Sequence, residues 1–558
     1  MKTLHIFLFC LFFSLQCYGA NQLPPAAAIA SAHPLATEAG LDILEQGGNA
    51  FDAAIAVTAA LAVVEPYSSG IGGGGFWLLH RASDNKQIMI DGREKAPELA
   101  HRRMYLDEND QVNRGASING ALAAGIPGVP AGLVHLAQRY GSLPLEKSMA
   151  AAIRYAKEGF AIGARYQNLV SYRLEALQRV PEAAAIFLED NRIPQIGFVV
   201  KQNDLAVTLE RIAELGNDGF YHGELAEKLV LGVSQAGGVW SLKDLENYRV
   251  VERAPIVTNY RGMRVVSAPP PSSGGIVMGQ ALQILEHFDL DSMDSITRKH
   301  YVIESMRRAY RDRAVFLGDP DYFKVPVRRL LDKDYLHGLA INIDPDKATP
   351  SSELGNTPGL IQTGSDTTHF SVIDKLGNRV AATLSINLPF GSCFVAPGTG
   401  VLLNDEMDDF SIKPHTPNAY GLVGDKANSI EGGKRPLSSM TPTFIETDDR
   451  IGILGTPGGS RIISMVLLGV LDFADGNNPQ SWVSLPRYHH QYLPDEVQYE
   501  KNGMSVREQL GLKKRGHSLK EKNRRYGNMQ AILWDKKENR VYAASDPRGE
   551  GEAKVIAR

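Results

Sequence analysis

Residues 367–387 constrain the rest of the chain most. They read Thr-Thr-His-Phe-Ser-Val-Ile, then a polar turn Asp374-Lys375-Leu376-Gly377-Asn378, then Arg-Val-Ala-Ala-Thr-Leu-Ser-Ile-Asn. Two stretches rich in β-branched residues about a short glycine-containing turn predict a β-hairpin. Side chains alternate faces along a strand. With Ile373 opposite Arg379, one face carries Phe370, Val372, Val380, Ala382, Leu384 and Ile386, and the other Thr367, His369, Ser371, Thr383, Ser385 and Asn387. In that register Thr367 faces Ser385, and directly opposed Cβ atoms lie roughly 4.5–5.5 Å apart. Ser385 and Asn387 then both reach a group presented by Thr367. Threonines are also simply good strand residues, so the hairpin alone leaves an inert sheet open beside a catalytic corner.

The 558 residues are 43% hydrophobic and 22% charged with a formal net charge of −4, enough to bury a large core and without the basic footprint of a nucleic-acid binder. No repeat or low-complexity linker divides them, so one large domain is expected. At the start, Lys2 precedes an apolar run over residues 6–15, too short to span a bilayer, followed by Cys17, Tyr18 and Gly19. This pattern predicts a signal peptide over residues 1–19, an exported, periplasmic or secreted protein, and no membrane anchor. Cys10 and Cys17 leave with that peptide, and Cys393 alone forms no internal disulfide.

Helical periodicity predicts helices over 35–46, 50–64, 131–140, 145–157, 204–215, 225–235, 276–285 and 297–317, with a capping-box start at Ser241. Gly70 to Gly75 formally satisfies G-x-G-x-x-G, but a helix precedes it and a strand follows, the reverse of a dinucleotide site; close backbone packing is expected instead. Arg307, Arg308, Arg311 and Arg313 stand among Glu304 and Asp312 and are expected to form a salt-bridged face. His489-His490 lacks a metal-binding companion motif and is expected to pack near Leu493-Pro494, with no metal or cofactor. The basic residues from Lys513 to Arg525 are expected on a solvated face. Residues 344–366, rich in Pro, Gly, Ser and Thr, are expected to be exposed and flexible up to Thr367.

Thr367-Thr368-His369-Phe370-Ser371-Val372, Ser385-Ile386-Asn387, the run 400–411, Lys434-Arg435-Pro436-Leu437-Ser438-Ser439-Met440 and Thr456-Pro457-Gly458-Gly459-Ser460 occur in the order of the γ-glutamyltranspeptidases. The chain resembles that family, within the N-terminal-nucleophile hydrolases, over nearly its whole length. The resemblance implies an α+β fold, a four-layer αββα sandwich, and self-cleavage between Asp366 and Thr367 into a large subunit (20–366) and a small one (367–558), intertwined as a heterodimer. Thr367 would be the nucleophile and its freed α-amine the base, supported by Ser385, with Gly458 and Gly459 as oxyanion donors. Arg93, Ser438 and Ser439 would take the α-carboxylate of a γ-glutamyl group, and Asn387, Glu406 and Asp409 its α-ammonium, with Tyr420 on a lid. Glutathione and related γ-glutamyl compounds would be donors, and water, amino acids or dipeptides acceptors. The sequence departs from the family at Ser385, where many members have Thr, and at Glu406, where others have Gln. An inert exported binding protein, a nucleotide-dependent oxidoreductase and an acylase of altered specificity are the rival readings.

Overall fold

The computed structural model describes residues 22–355, 367–413 and 416–557. The expected signal peptide and Asp366 lie outside them. Two sheets carry the molecule. The first contains strands β1 (Ala26–Ser31), β2 (Gly74–Arg81), β3 (Lys86–Gly92) and β4 (Val251–Arg253), together with β7 (Thr368–Ile373), β8 (Arg379–Ser385) and the last strand, β13 (Glu552–Ala557), in the order β13-β1-β7-β8-β2-β3-β4. The second contains β5 (Ile256–Tyr260), β6 (Met263–Ser267), β9 (Thr443–Glu446), β10 (Arg450–Gly455), β11 (Gln530–Asp535) and β12 (Arg540–Ser545), in the order β12-β11-β10-β9-β6-β5.

The hairpin of β7 and β8 has the register read from the sequence: Ile373 pairs with Arg379, His369 with Thr383 and Thr368 with Leu384. Its turn is held by Asp374, whose Oδ1 accepts the amides of Leu376 and Asn378, both at 2.9 Å. An aspartate that bonds its own downstream backbone is a natural turn former. All six apolar-face residues join one hydrophobic core with helices α1 (Pro34–Glu45) and α2 (Ala50–Val64). Every residue of α2 is buried, so this helix is sandwiched rather than amphipathic.

The other face of the hairpin looks into the space between the sheets, where Ala28, Phe76, Leu78 and Ala381 meet Val266, Phe444, Ile453 and Ile532. Polar groups in that dry layer must pair with one another. His369 Nδ1 lies 2.8 Å from Thr383 Oγ1, and Ser371 Oγ donates to the Gln530 carbonyl at 3.1 Å. Burial pushes His369 down to about 3, so its ring is neutral there. Helices α3 (Gly274–Leu285), α4 (Ser295–Phe316) and α5 (Ile462–Ala474) belong to this same core, which lies beyond the first sheet from α1 and α2. Two sheets clad by helices give the four layers expected.

The glycine run packs backbone against backbone. A Cβ on Gly73 would stand 2.2 Å from the Ser385 carbonyl oxygen, so only glycine lets the entry to β2 lie against the end of β8. Residues 344–355 depart from the flexible segment expected of them. His300 Nε2 and the Asp344 carbonyl are 2.7 Å apart, Ala348 N donates to the Arg515 carbonyl, and Ser351 is buried with its Oγ donating to the Tyr492 carbonyl at 2.7 Å. Polar composition here serves hydrogen bonding to a wall of the protein. Residues 356–366 lie outside the described ones.

Candidate active site

The open end of the hairpin forms one wall of a narrow cavity of about 290 Å³, its mouth included. Thr367 is 4% exposed, and its Oγ1 lies 3.4 Å from Ser385 Oγ across the strands. Ser385 Oγ also accepts the Asn387 amide at 2.8 Å, which fixes the hydroxyl beside Thr367. Asn387 sits at φ +75°, and its Nδ2 donates to the Asp405 carbonyl at 3.0 Å, leaving Oδ1 as acceptor.

This geometry makes a test of the register. Ser385→Ala removes only the supporting oxygen and is expected to slow both maturation and turnover about 100-fold, the low end for a proton-positioning group. Leu384→Val changes the apolar face and is expected to lower stability while leaving kcat nearly intact. Measuring kcat for both decides it: an active Ser385→Ala beside an inactive but folded Leu384→Val overturns the assignment.

Arg93, just beyond β3 and 1% exposed, lines the same cavity. Its Nη1 lies 2.7 Å from Glu406 Oε2 and 3.4 Å from Glu94 Oε2, and its Nη2 lies 2.6 Å from Asp409 Oδ2. Nε donates to the Pro436 carbonyl at 3.2 Å. Burial opposes the charge of Arg93, yet the carboxylates of Glu406, Glu94 and Asp409 outweigh it and raise its pKa. Those acids are themselves desolvated. Burial raises Glu406 and Asp409 despite the guanidinium beside them, and lifts Glu94 to about 7. Three carboxylates around one guanidinium do not all hold full charge in a dry site.

Apart from Glu94, the acids come from one turn, Glu406–Asp409, whose carboxylates divide by direction. Asn404 anchors the turn, with Nδ2 donating to the carbonyls of Gly72 and Gly125 at 2.8 Å and Oδ1 accepting the Glu406 amide. Asp408 points away from Arg93: its Oδ1 accepts from Arg114 and Ser117, and its Oδ2 accepts the Ala419 amide. Asp409 Oδ1 accepts from Asn418 Nδ2 at 2.9 Å, so the acidic turn also holds the segment that carries Tyr420. The Tyr420 hydroxyl donates to the Asn387 carbonyl at 2.6 Å and its ring covers Gly459. A Cβ on Gly459, at φ +56°, would stand 2.2 Å from that ring.

Ser438 and Ser439 are presented by a strap that the proline-rich turn at residues 269–273 grips. The Ser438 amide donates to the Pro271 carbonyl, Ser273 N and Oγ both donate to the Ser438 carbonyl, and Ser272 Oγ donates to the Met440 carbonyl. Gly458 and Gly459 lie between β10 and α5, both at positive φ, and no hydrogen bond to either N–H is found among the described residues.

The structure thus brings Arg93, Thr367, Ser385, Asn387, Glu406, Asp409, Tyr420, Ser438, Ser439 and Gly459 to one cavity. Gly458 is set apart. It lines a neighbouring cavity with Arg165, Arg524 and Arg548, so the Gly458–Gly459 peptide is the partition between the two. Leu422, Met440, Ser460 and Ile462 also line the main cavity and were not anticipated. Ser460 carried a signal, since it continues the Thr-Pro-Gly-Gly-Ser block; its hydroxyl is buried with no hydrogen-bond partner among the described residues. His489 and His490 lie elsewhere, with His489 Nδ1 2.6 Å from Ser464 Oγ and His490 Nε2 3.2 Å from Asp495.

The profile of the gamma-glutamyltranspeptidase family matches residues 36–556. The glutathione hydrolase proenzyme of Escherichia coli (strain K12) is 43% identical, over 96% of this chain and 95% of its own. That of Pseudomonas sp. (strain A14) is 41% identical over 95% of each. Among solved structures, cephalosporin acylase from Bacillus halodurans superposes with a TM-score of 0.84 at 28% identity, covering 98% of this chain and 99% of that one. Gamma-glutamyltranspeptidase of Helicobacter pylori superposes with a TM-score of 0.57 at 40% identity, covering 58% of this chain and 94% of that one.

Proposed function

We propose, for a chain that belongs to the gamma-glutamyltranspeptidase family of N-terminal-nucleophile hydrolases, that Thr367 first cuts its own chain and then carries γ-glutamyl groups from glutathione and related compounds to water or an amino-acid or dipeptide acceptor. One observation supports this most: a hydroxyl pair and a guanidinium flanked by carboxylates line a single cavity. A γ-glutamyl group has the matching polarity, with an α-carboxylate and an α-ammonium at one end and the reacting carbonyl at the other. Arg93, Ser438 and Ser439 take the carboxylate, and Glu406, Asp409 and Asn387 Oδ1 take the ammonium. A glutaryl group, which lacks the ammonium, leaves those acids unmatched.

In maturation, Thr367 Oγ1 adds to the Asp366 carbonyl carbon, the C–N bond breaks, and the Thr367 nitrogen gains the proton. Water then hydrolyses the ester, leaving a carboxylate on Asp366 and a free α-amine on Thr367. That amine, with an ordinary pKa of roughly 7.7–8.0, accepts the Thr367 hydroxyl proton as the oxygen attacks the γ-carbonyl. It returns the proton to the leaving amine. The oxyanion takes its hydrogen bond from the amide of Gly459, which borders the cavity, with the Gly458 amide on the partition behind it as the second donor only if that peptide turns toward the substrate. Water or an acceptor amine attacks the acyl-enzyme by the same route in reverse. The products of maturation are residues 20–366 and 367–558, and residues 1–19 direct export. No described helix is long and apolar enough to cross a membrane.

The test is a denaturing gel of the purified protein, N-terminal sequencing of the smaller band, and release of nitroaniline from a γ-glutamyl anilide. A small band that begins Thr-Thr-His-Phe-Ser, together with activity, is expected. A persistent single chain or an inactive split protein overturns the reading.

A further inference from the structure

Of the four arginines from Arg307 to Arg313 on α4, three meet acids as the sequence predicts. Arg307 and Arg308 bind Glu304 at 3.0 and 2.6 Å, and Arg311 binds Asp312 at 3.0 Å. Arg313 departs from them. It is 4% exposed and forms no ion pair among the described residues. Its Nε donates to Ser273 Oγ at 3.0 Å, and its Nη2 donates to Ser439 Oγ at 3.1 Å. Burial pushes the guanidinium down to about 10, with Tyr310 and Asp409 pulling it back up and Arg93 pushing it further down. A buried cation without a counter-charge is costly, and its site favours an arriving anion.

The direction of these bonds carries the argument. A guanidinium only donates, whereas a hydroxyl both donates and accepts. Ser273 Oγ accepts a hydrogen bond from Arg313 and donates one to the Ser438 carbonyl, which holds the serine strap in place. Ser439 Oγ likewise accepts from Arg313, which leaves its own O–H free to donate, and Ser439 lines the cavity. Arg93 is paired with Glu406 and Asp409, whereas Arg313 brings to the same end of the cavity a positive charge that no carboxylate pairs among the described residues.

We infer that Arg313 is a positioning residue for the substrate α-carboxylate: it orients the Ser439 hydroxyl as a donor into the cavity and supplies the positive charge that the carboxylate completes. This rests on the γ-glutamyl reading above, and it adds to Arg93 and the two serines a determinant of α-carboxylate selectivity that lies behind the cavity wall.

The experiment compares two inhibitors of nitroaniline release by the mature enzyme. L-Glutamate carries the α-carboxylate, and 4-aminobutyrate lacks it. Arg313→Met is expected to weaken glutamate roughly 10- to 100-fold, the worth of a hydrogen bond to a charged group, while 4-aminobutyrate changes little. KM for the anilide is expected to rise similarly with kcat nearly kept. Arg313→Lys, with charge but no fork, is expected to recover part of the loss. Ser439→Ala is expected to cost much less in the Arg313→Met background than alone, because residues acting through one another are not additive. Equal weakening of both inhibitors, no weakening of either, or fully additive losses overturns the inference. If Arg313→Met does not mature, Arg313→Lys is read by the same comparison: a selective loss of glutamate supports it, and a parallel loss or none overturns it. If the wild-type protein releases no nitroaniline, it is the γ-glutamyl reading that fails.

Discussion

Thr367→Ala is expected to accumulate as one uncut chain with no measurable γ-glutamyl turnover. The substitution removes the only oxygen at this position that can form both the maturation ester and the acyl-enzyme. It leaves the hairpin intact, because Thr368 to Ile373 still pair with β8. Loss of a hydroxyl nucleophile elsewhere lowers kcat roughly a million-fold, which places the variant below detection. Thr367→Ser keeps the oxygen and is expected to cut and turn over more slowly. If pure Thr367→Ala still splits before residue 367, the nucleophile is another group and Ser385 loses its proposed part as well.

Arg93→Met has the second largest expected effect, on both binding and stability. Binding suffers because the carboxylate loses its planar fork, and KM is expected to rise at least about tenfold. Stability suffers because Glu406, Asp409 and Glu94 are left buried around an apolar side chain. Removing one partner of a buried ion pair costs about 3–5 kcal/mol. The pH dependence follows from the acids. Burial already raises all three, and losing the guanidinium removes what lowers them. A carboxyl whose folded pKa lies above its unfolded value binds more protons when folded, so stability falls as pH rises through that window. The Tm deficit of Arg93→Met relative to wild type is therefore expected to be greatest near about pH 8 and to narrow toward about pH 5.5. A deficit that widens on acidification refutes this account, and an unchanged KM removes Arg93 from the site.

The hairpin was legible in the sequence because a short turn and strict alternation leave one register that buries six apolar residues together. The long helices were legible for a similar reason: the expected 50–64 is the observed Ala50–Val64, and 297–317 differs from Ser295–Phe316 by a residue or two at each end. Strand β1 was not legible. Its Ala-Ala-Ala-Ile-Ala-Ser reads as helix or nothing, and it is a strand only because β13 and β7 flank it, with small side chains suiting the two packed faces. Most of the cavity residues came from resemblance to a family, whereas Arg313 was hidden by its own helix. Four arginines among acids look like a salt-bridged face, yet α4 is buried on nearly every side, and only the fold separates the one that turns toward Ser439. Asp408 and Asp409 are adjacent letters with opposite tasks, a division that composition does not reveal.

Strand order makes a nick before residue 367 a break in the chain without a break in the body. β7 lies between β1 and β8, β13 flanks β1 on the other side, and β8 pairs with β2, so the later segment is threaded through the earlier one in the first sheet; β9 beside β6 repeats this in the second. Separation would require tearing backbone ladders in both sheets at once. Two polypeptides produced by such a cut are therefore expected to unfold together in one transition whose midpoint falls on dilution, and neither is expected to fold when made apart and mixed.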